Sequence, residues 1–72
     1  MENQTLKMGE GKEFIALDQL LKLLNIVGSG GEAHAVITDG MVKLNGEVET
    51  QKRKKIRVGD VVFFEGIEIT VE

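Results

Sequence analysis

The sequence predicts an α+β domain with two short packed helices on one face of a small antiparallel β-sheet. Three observations carry that expectation. Helical periodicity is confined to the first half, where Leu17, Leu20, Leu21 and Leu24 recur at i, i+3, i+4 and i+7. Strict alternation is confined to the second half, most cleanly in Ile67, Ile69 and Val71 against Glu68, Thr70 and Glu72. The dipeptides Asn45-Gly46, Gly59-Asp60 and Glu65-Gly66 punctuate that half at hairpin spacing.

Taken in order, residues 1–12 hold Gly9 and Gly11, mixed charge and no periodicity. They read as a loosely ordered N-terminal tail with, at most, a short extended piece around Thr5–Met8. Residues 13–72 then form a single domain. The leucine face defines a first helix, with Asp18 and Lys22 opposite it as an i, i+4 pair and Gly28 as its end. Ser29-Gly30-Gly31-Glu32 has the form of a capping box and opens a second helix. Ala33, Val36 and Ile37 give this helix a narrow apolar stripe, and Asp39-Gly40 closes it. The short link between the helices forces them to pack together. Val42 and Leu44 then alternate into the Asn45-Gly46 turn, Val48 returns, and Ile56 with Val58, Val61–Phe64 and Ile67–Val71 supply further strands.

A chain of 72 residues holds one small core. With no cysteine there is no disulfide, no thiolate nucleophile and no thiolate-bound zinc. The first residues lack a basic region followed by an apolar run, and no apolar stretch approaches the roughly 20 residues of a membrane span. The expectation is a soluble, cytoplasmic protein without membrane contact, with a monomer favoured. Ser29 and His34 are the sole serine and histidine, and capping already accounts for Ser29. No acidic cluster has metal-ligand spacing, so no enzyme activity, cofactor, metal or small-molecule substrate is expected.

The charge distribution is uneven. Lys52, Arg53, Lys54, Lys55 and Arg57 concentrate five of the nine cationic side chains in six positions of a chain whose net charge is -3. One concentrated positive spot in an acidic protein is the electrostatic footprint of a nucleic-acid site. Strand parity divides the run. With Ile56 and Val58 turned inward, Lys55 and Arg57 face out, but an unbroken strand would drive Lys52 and Lys54 into the core. The strand therefore begins near Lys55, and Gln51–Lys54 form a loop or bulge from which all five cations splay outward. Aromatics are scarce, with Phe63-Phe64 in an apolar strand, so binding through phosphates and shape is expected rather than stacking.

Read together, Leu17-Asp18-Gln19-Leu20-Leu21, Glu32-Ala33, Gly40-Met41-Val42-Lys43-Leu44-Asn45-Gly46 and Ile56-Arg57-Val58-Gly59-Asp60-Val61 form an ordered pattern. Over residues 14–64 it resembles the small RNA-binding domain named after small-subunit ribosomal protein four, the S-four domain with its alpha-L motif. The start at Ser29-Gly30-Gly31-Glu32-Ala33 looks like the stand-alone bacterial branch, which lacks a fused catalytic domain. The resemblance implies that the helix pair and the following hairpin grip RNA. On this chain that means Lys22, the second helix start from Ser29 through Gly30 and Gly31 to His34, Lys43, and the cations Lys52, Arg53, Lys54, Lys55 and Arg57. Many members carry arginine or lysine at the second helix start, where this chain has Gly30, Gly31 and then His34. The basic run would then supply most of the affinity, with backbone amides as the helix's contribution.

The functional expectation is a non-catalytic binder of structured RNA, ribosomal or transfer RNA, with weak sequence selectivity. The alternative is a protein-interaction module whose basic patch docks an acidic partner. A small ubiquitin-like carrier would need a di-glycine end, and the chain ends Thr70-Val71-Glu72.

Overall fold

The computed structural model describes residues 2–9 and 11–72. Among the described residues nine elements follow in chain order: β1 (Glu2–Leu6), β2 (Ile15–Ala16), α1 (Leu17–Leu23), α2 (Gly30–Thr38), β3 (Val42–Leu44), β4 (Glu47–Val48), β5 (Lys55–Ile56), β6 (Val61–Phe64) and β7 (Ile67–Val71). Five strands form one sheet in the order β1-β7-β6-β3-β4, while β2 and β5 form a separate two-stranded ladder.

Period-two alternation decides the faces of the sheet. Val42, Val62, Phe64, Ile69 and Val71 are buried in the same cluster as Leu17, Leu20 and Leu21 of α1 and Ala33 and Ile37 of α2. Lys43, Phe63 and Glu68, which stand in register across β3, β6 and β7, occupy the opposite face. Both hairpins turn as their sequences require. Asn45 and Gly46 have φ of 52° and 88°, and Glu65 and Gly66 have 47° and 79°, the left-handed pair that a two-residue hairpin loop needs.

Three expectations are corrected. The sheet is mixed, because β1 pairs with β7 in parallel, from Glu2 opposite Ile67 to Leu6 opposite Val71. The segment expected as a loose tail thus supplies an edge strand whose single buried anchor is Leu6. One buried residue in five produces no periodicity to read. Met1 and Glu10 of that segment lie outside the described residues.

The first helix ends at Leu23, five residues before Gly28. Asn25 takes the left-handed position at φ 57°, its N–H donates to the Lys22 carbonyl and the Ile26 N–H donates to that of Leu21. That is a Schellman ending with asparagine in place of glycine, fixed by Ile26 packing back on the core. The second helix ends the same way at Gly40, φ 77°, with bonds from Gly40 to Ile37 and from Met41 to Val36.

Val58 does not point inward. β5 stops at Ile56 because Asp60 folds the chain over, its carboxylate accepting the Arg57 N–H at 2.8 Å and its own N–H donating to the Arg57 carbonyl. Val58 is left in the turn, 62% exposed.

Candidate nucleic-acid interface

The basic run is held by the start of α1. Ala16, the N-cap of that helix, offers no side-chain acceptor, so the first helical N–H groups need other partners. The loop supplies them: the Leu17 N–H donates to the Lys54 carbonyl at 2.9 Å and the Asp18 N–H to the Lys52 carbonyl at 3.1 Å. Ladder pairing of β2 with β5 continues the attachment through Ala16 opposite Lys55 and Ile15 opposite Ile56. The backbone of residues 52–56 is thereby fastened to the helix pair, while Lys52, Arg53, Lys55 and Arg57 remain exposed and Lys54 is half-buried. The loop from Gln51 to Lys54, with strand only from Lys55, is as expected. The expectation that all five cations splay outward is corrected at Lys54, whose side of the loop packs toward the start of α1.

Asp18 is the side-chain counterpart of this attachment. Expected on the solvent side of α1 with Lys22, it is instead 6% exposed and buried between the helices and the loop. Its Oδ2 accepts from His34 Nε2 of α2 at 2.8 Å and from Arg53 Nη1 at 3.4 Å, and its Oδ1 accepts the Gln19 N–H at 2.9 Å. An ionised carboxylate can only accept, so His34 carries its proton on Nε2. Burial pushes the Asp18 carboxyl up. The bonds from His34 and the Gln19 amide and the Arg53 charge outweigh it and hold the group below its ordinary range. One carboxylate thus links α1, α2 and the basic loop. Asp18 sits beside Leu21 at i+3, and that adjacency to the apolar stripe is the sequence signal for its burial.

The structure brings together four of the five cations of the run. Arg53, Lys54, Lys55 and Arg57 line one shallow depression with Gln51. Lys52 is exposed beside it, contributing its carbonyl to α1. His34 joins this surface through Asp18. Gly30 and Gly31 form the first turn of α2, where Ser29 Oγ accepts the Glu32 N–H at 3.2 Å and a Cβ on Gly30 would meet nothing within 4 Å. Backbone at that end is open to a ligand. Lys22 lies on α1 next to a second groove that also holds Lys12, Phe14 and Gln19. Lys43 stands apart, opposite Val48 and Phe63 on the sheet face turned away from the helices. Among the described residues no group of three His, Cys, Asp or Glu side chains could hold a metal.

Helix pair, anchored loop and hairpin define a small α+β module with one basic surface. Residues 8–72 match the family model of the S4 domain, the same domain whose motifs the sequence carries, and the chain belongs to that family. Among curated relatives, the candidate RNA-binding protein YbcJ of Escherichia coli (strain K12) is 44% identical over 57 residues, 79% of this chain and 81% of its own. The probable ribosome maturation protein RlbA of Bacillus subtilis (strain 168) is 41% identical over 54 residues, 75% of this chain and 76% of its own. The solution structure of E. coli YbcJ, described as having an alpha-L motif involved in RNA binding, superposes with a TM-score of 0.71 at 40% identity. It covers 93% of this chain and 84% of that one.

Proposed function

We propose that this protein is a non-catalytic RNA-binding protein that grips structured RNA, ribosomal or transfer RNA, through phosphate contacts from the basic loop. The observation that carries the reading is the depression formed by Arg53, Lys54, Lys55 and Arg57, whose backbone is clamped to the start of α1. A clamped loop presents its charges without the ordering cost that a free loop meets on binding. The name of the E. coli relative supports RNA binding, and that of the B. subtilis relative, a ribosome maturation protein, favours an RNA connected with the ribosome. Lys52, His34, Lys22 and the open backbone at Gly30 and Gly31 extend the contact toward the helix pair. Lys43 adds a contact only where the RNA reaches round the sheet.

The test is an NMR titration with a structured RNA hairpin, repeated across salt concentrations. Amide shifts are expected to cluster at residues 51–57 and around His34. Changing Arg53, Lys54 and Lys55 together to alanine should lower the salt slope by roughly 2–3, at about 0.9 for each duplex phosphate that is no longer neutralised. Shifts centred elsewhere, or a triple variant with unchanged affinity, would refute the assignment.

A further inference from the structure

Phe14 is 42% exposed and lies just before β2, at the edge of the groove lined by Lys12, Ile15, Gln19, Lys22 and Leu23. Because Ala16 pairs with Lys55, Phe14 is the diagonal cross-strand neighbour of Lys55. The ammonium of Lys55 accordingly stands over the Phe14 ring, 4.9 Å from its centre. Leu23 faces solvent at 61% exposure on the last turn of α1. An exposed aromatic and an exposed leucine on one groove, flanked there by Lys12 and Lys22, are absent from the core cluster.

The groove combines the apolar side chains Phe14, Ile15 and Leu23 with the cations Lys12 and Lys22, and Gln19 adds an amide that can both donate to and accept from a ligand edge. With a volume of about 530 Å³ the groove falls in the range of small-ligand sites, roughly 300–1,000 Å³. Lys55 lines the basic depression and reaches over Phe14, which lines the groove, so the two sites adjoin. A flat group with polar edges, attached to a phosphate held next door, matches all of these features. We infer that the Phe14 groove receives one unpaired nucleotide of the bound RNA, its base stacked on the face of the Phe14 ring opposite Lys55 while Lys55 and Lys22 hold the adjoining phosphates. The inference rests on the RNA-binding reading and deepens it, because it makes an irregularity in the stem part of what is recognised.

The experiment uses two RNA hairpins that differ by a single bulged nucleotide, with the wild type, Phe14→Leu and Phe14→Trp. The sequence has no Trp or Tyr, so Phe14→Trp introduces a sole fluorophore. The wild type should bind the bulged hairpin about tenfold more tightly, the scale of one base–aromatic stack. Phe14→Leu should erase that preference and leave the fully paired hairpin's affinity and salt slope unchanged. Phe14→Trp should restore the preference, and its emission should be quenched by the bulged hairpin alone. Equal binding of both hairpins by the wild type, or a preference that survives Phe14→Leu, overturns the inference while leaving RNA binding intact. A reporter silent to RNA that is bound at the basic loop also overturns it. Failure to bind either hairpin overturns the RNA-binding reading and this inference with it.

Discussion

Replacing Asp18 tests how much of the domain's stability rests on one buried carboxylate. In Asp18→Ala the His34 Nε2 proton loses its acceptor at 2.8 Å, the Arg53 guanidinium loses a partner at 3.4 Å, and the Gln19 N–H loses its local cap. A hydrogen bond to a charged group contributes about 1.5–3 kcal/mol. The Arg53 pair adds little, since its guanidinium end is 70% exposed. The expected loss is about 2–3 kcal/mol at pH 7, or roughly 10–20 °C in Tm for a domain of this size. The pH dependence follows from the direction of the shift. The folded carboxyl titrates below its ordinary value of 3.8, so its stabilisation is fully present above that value and is lost as pH falls through the folded value. Urea unfolding followed by circular dichroism at pH 7 and at pH 3 reads both effects. Asp18→Asn, which keeps the shape and loses the charge, should fall between wild type and alanine at pH 7, and the wild type should converge on it in acid. A difference below about 0.5 kcal/mol at pH 7 would mean that water replaces the pairing without loss. A gap between wild type and Asp18→Asn that persists unchanged into acid would show that charge is not the cause.

Substitutions at two further positions probe turn and cap bonding. Asn45 holds the left-handed turn position and also ties two turns, its Oδ1 accepting the Val61 N–H at 2.9 Å and its Nδ2 donating to Asp60 at 3.1 Å. Asn45→Ala should cost about 2–3 kcal/mol, and Asn45→Gly, which keeps only the backbone freedom, about half of that; equal losses in a denaturant titration would mean that the left-handed backbone costs alanine nothing, and no loss in Asn45→Gly would mean that the bonds add nothing. Ser29→Ala removes the acceptor for the Glu32 N–H and should cost about 1 kcal/mol, with amide exchange rising first at residues 30–33. Unchanged exchange there would show that α2 holds its first turn by packing alone.

Much of the fold was legible because its signals are local. Asn45-Gly46 and Glu65-Gly66 need φ > 0 at both positions, and few residue pairs tolerate that, so the turns announce themselves. Ser29 and Glu32 mark the start of α2 for the same kind of reason. The end of α1 was not legible, because Leu24 continues the periodicity while Asn25, a less usual left-handed residue than glycine, ends the helix. β1 was hidden because an edge strand needs backbone partners more than buried side chains, and its partner β7 lies some sixty residues away in the chain.

For the candidate site the division is similar. The residue order is enough to show that five cations crowd together, that parity breaks the strand at Lys55, and that the chain's motifs are those of the S4 family. Those facts depend on composition, spacing and the two-residue repeat of a strand. What holds the run in place, and what stands beside it, came from tertiary packing alone. The capping of α1 by the Lys52 and Lys54 carbonyls, the burial of Asp18 between His34 and Arg53, and the position of Phe14 under Lys55 each join residues 16 to 41 positions apart. Orphan helix donors and a buried carboxylate must find partners, but any acceptor or donor satisfies them. Packing of the whole chain chooses which one is within reach.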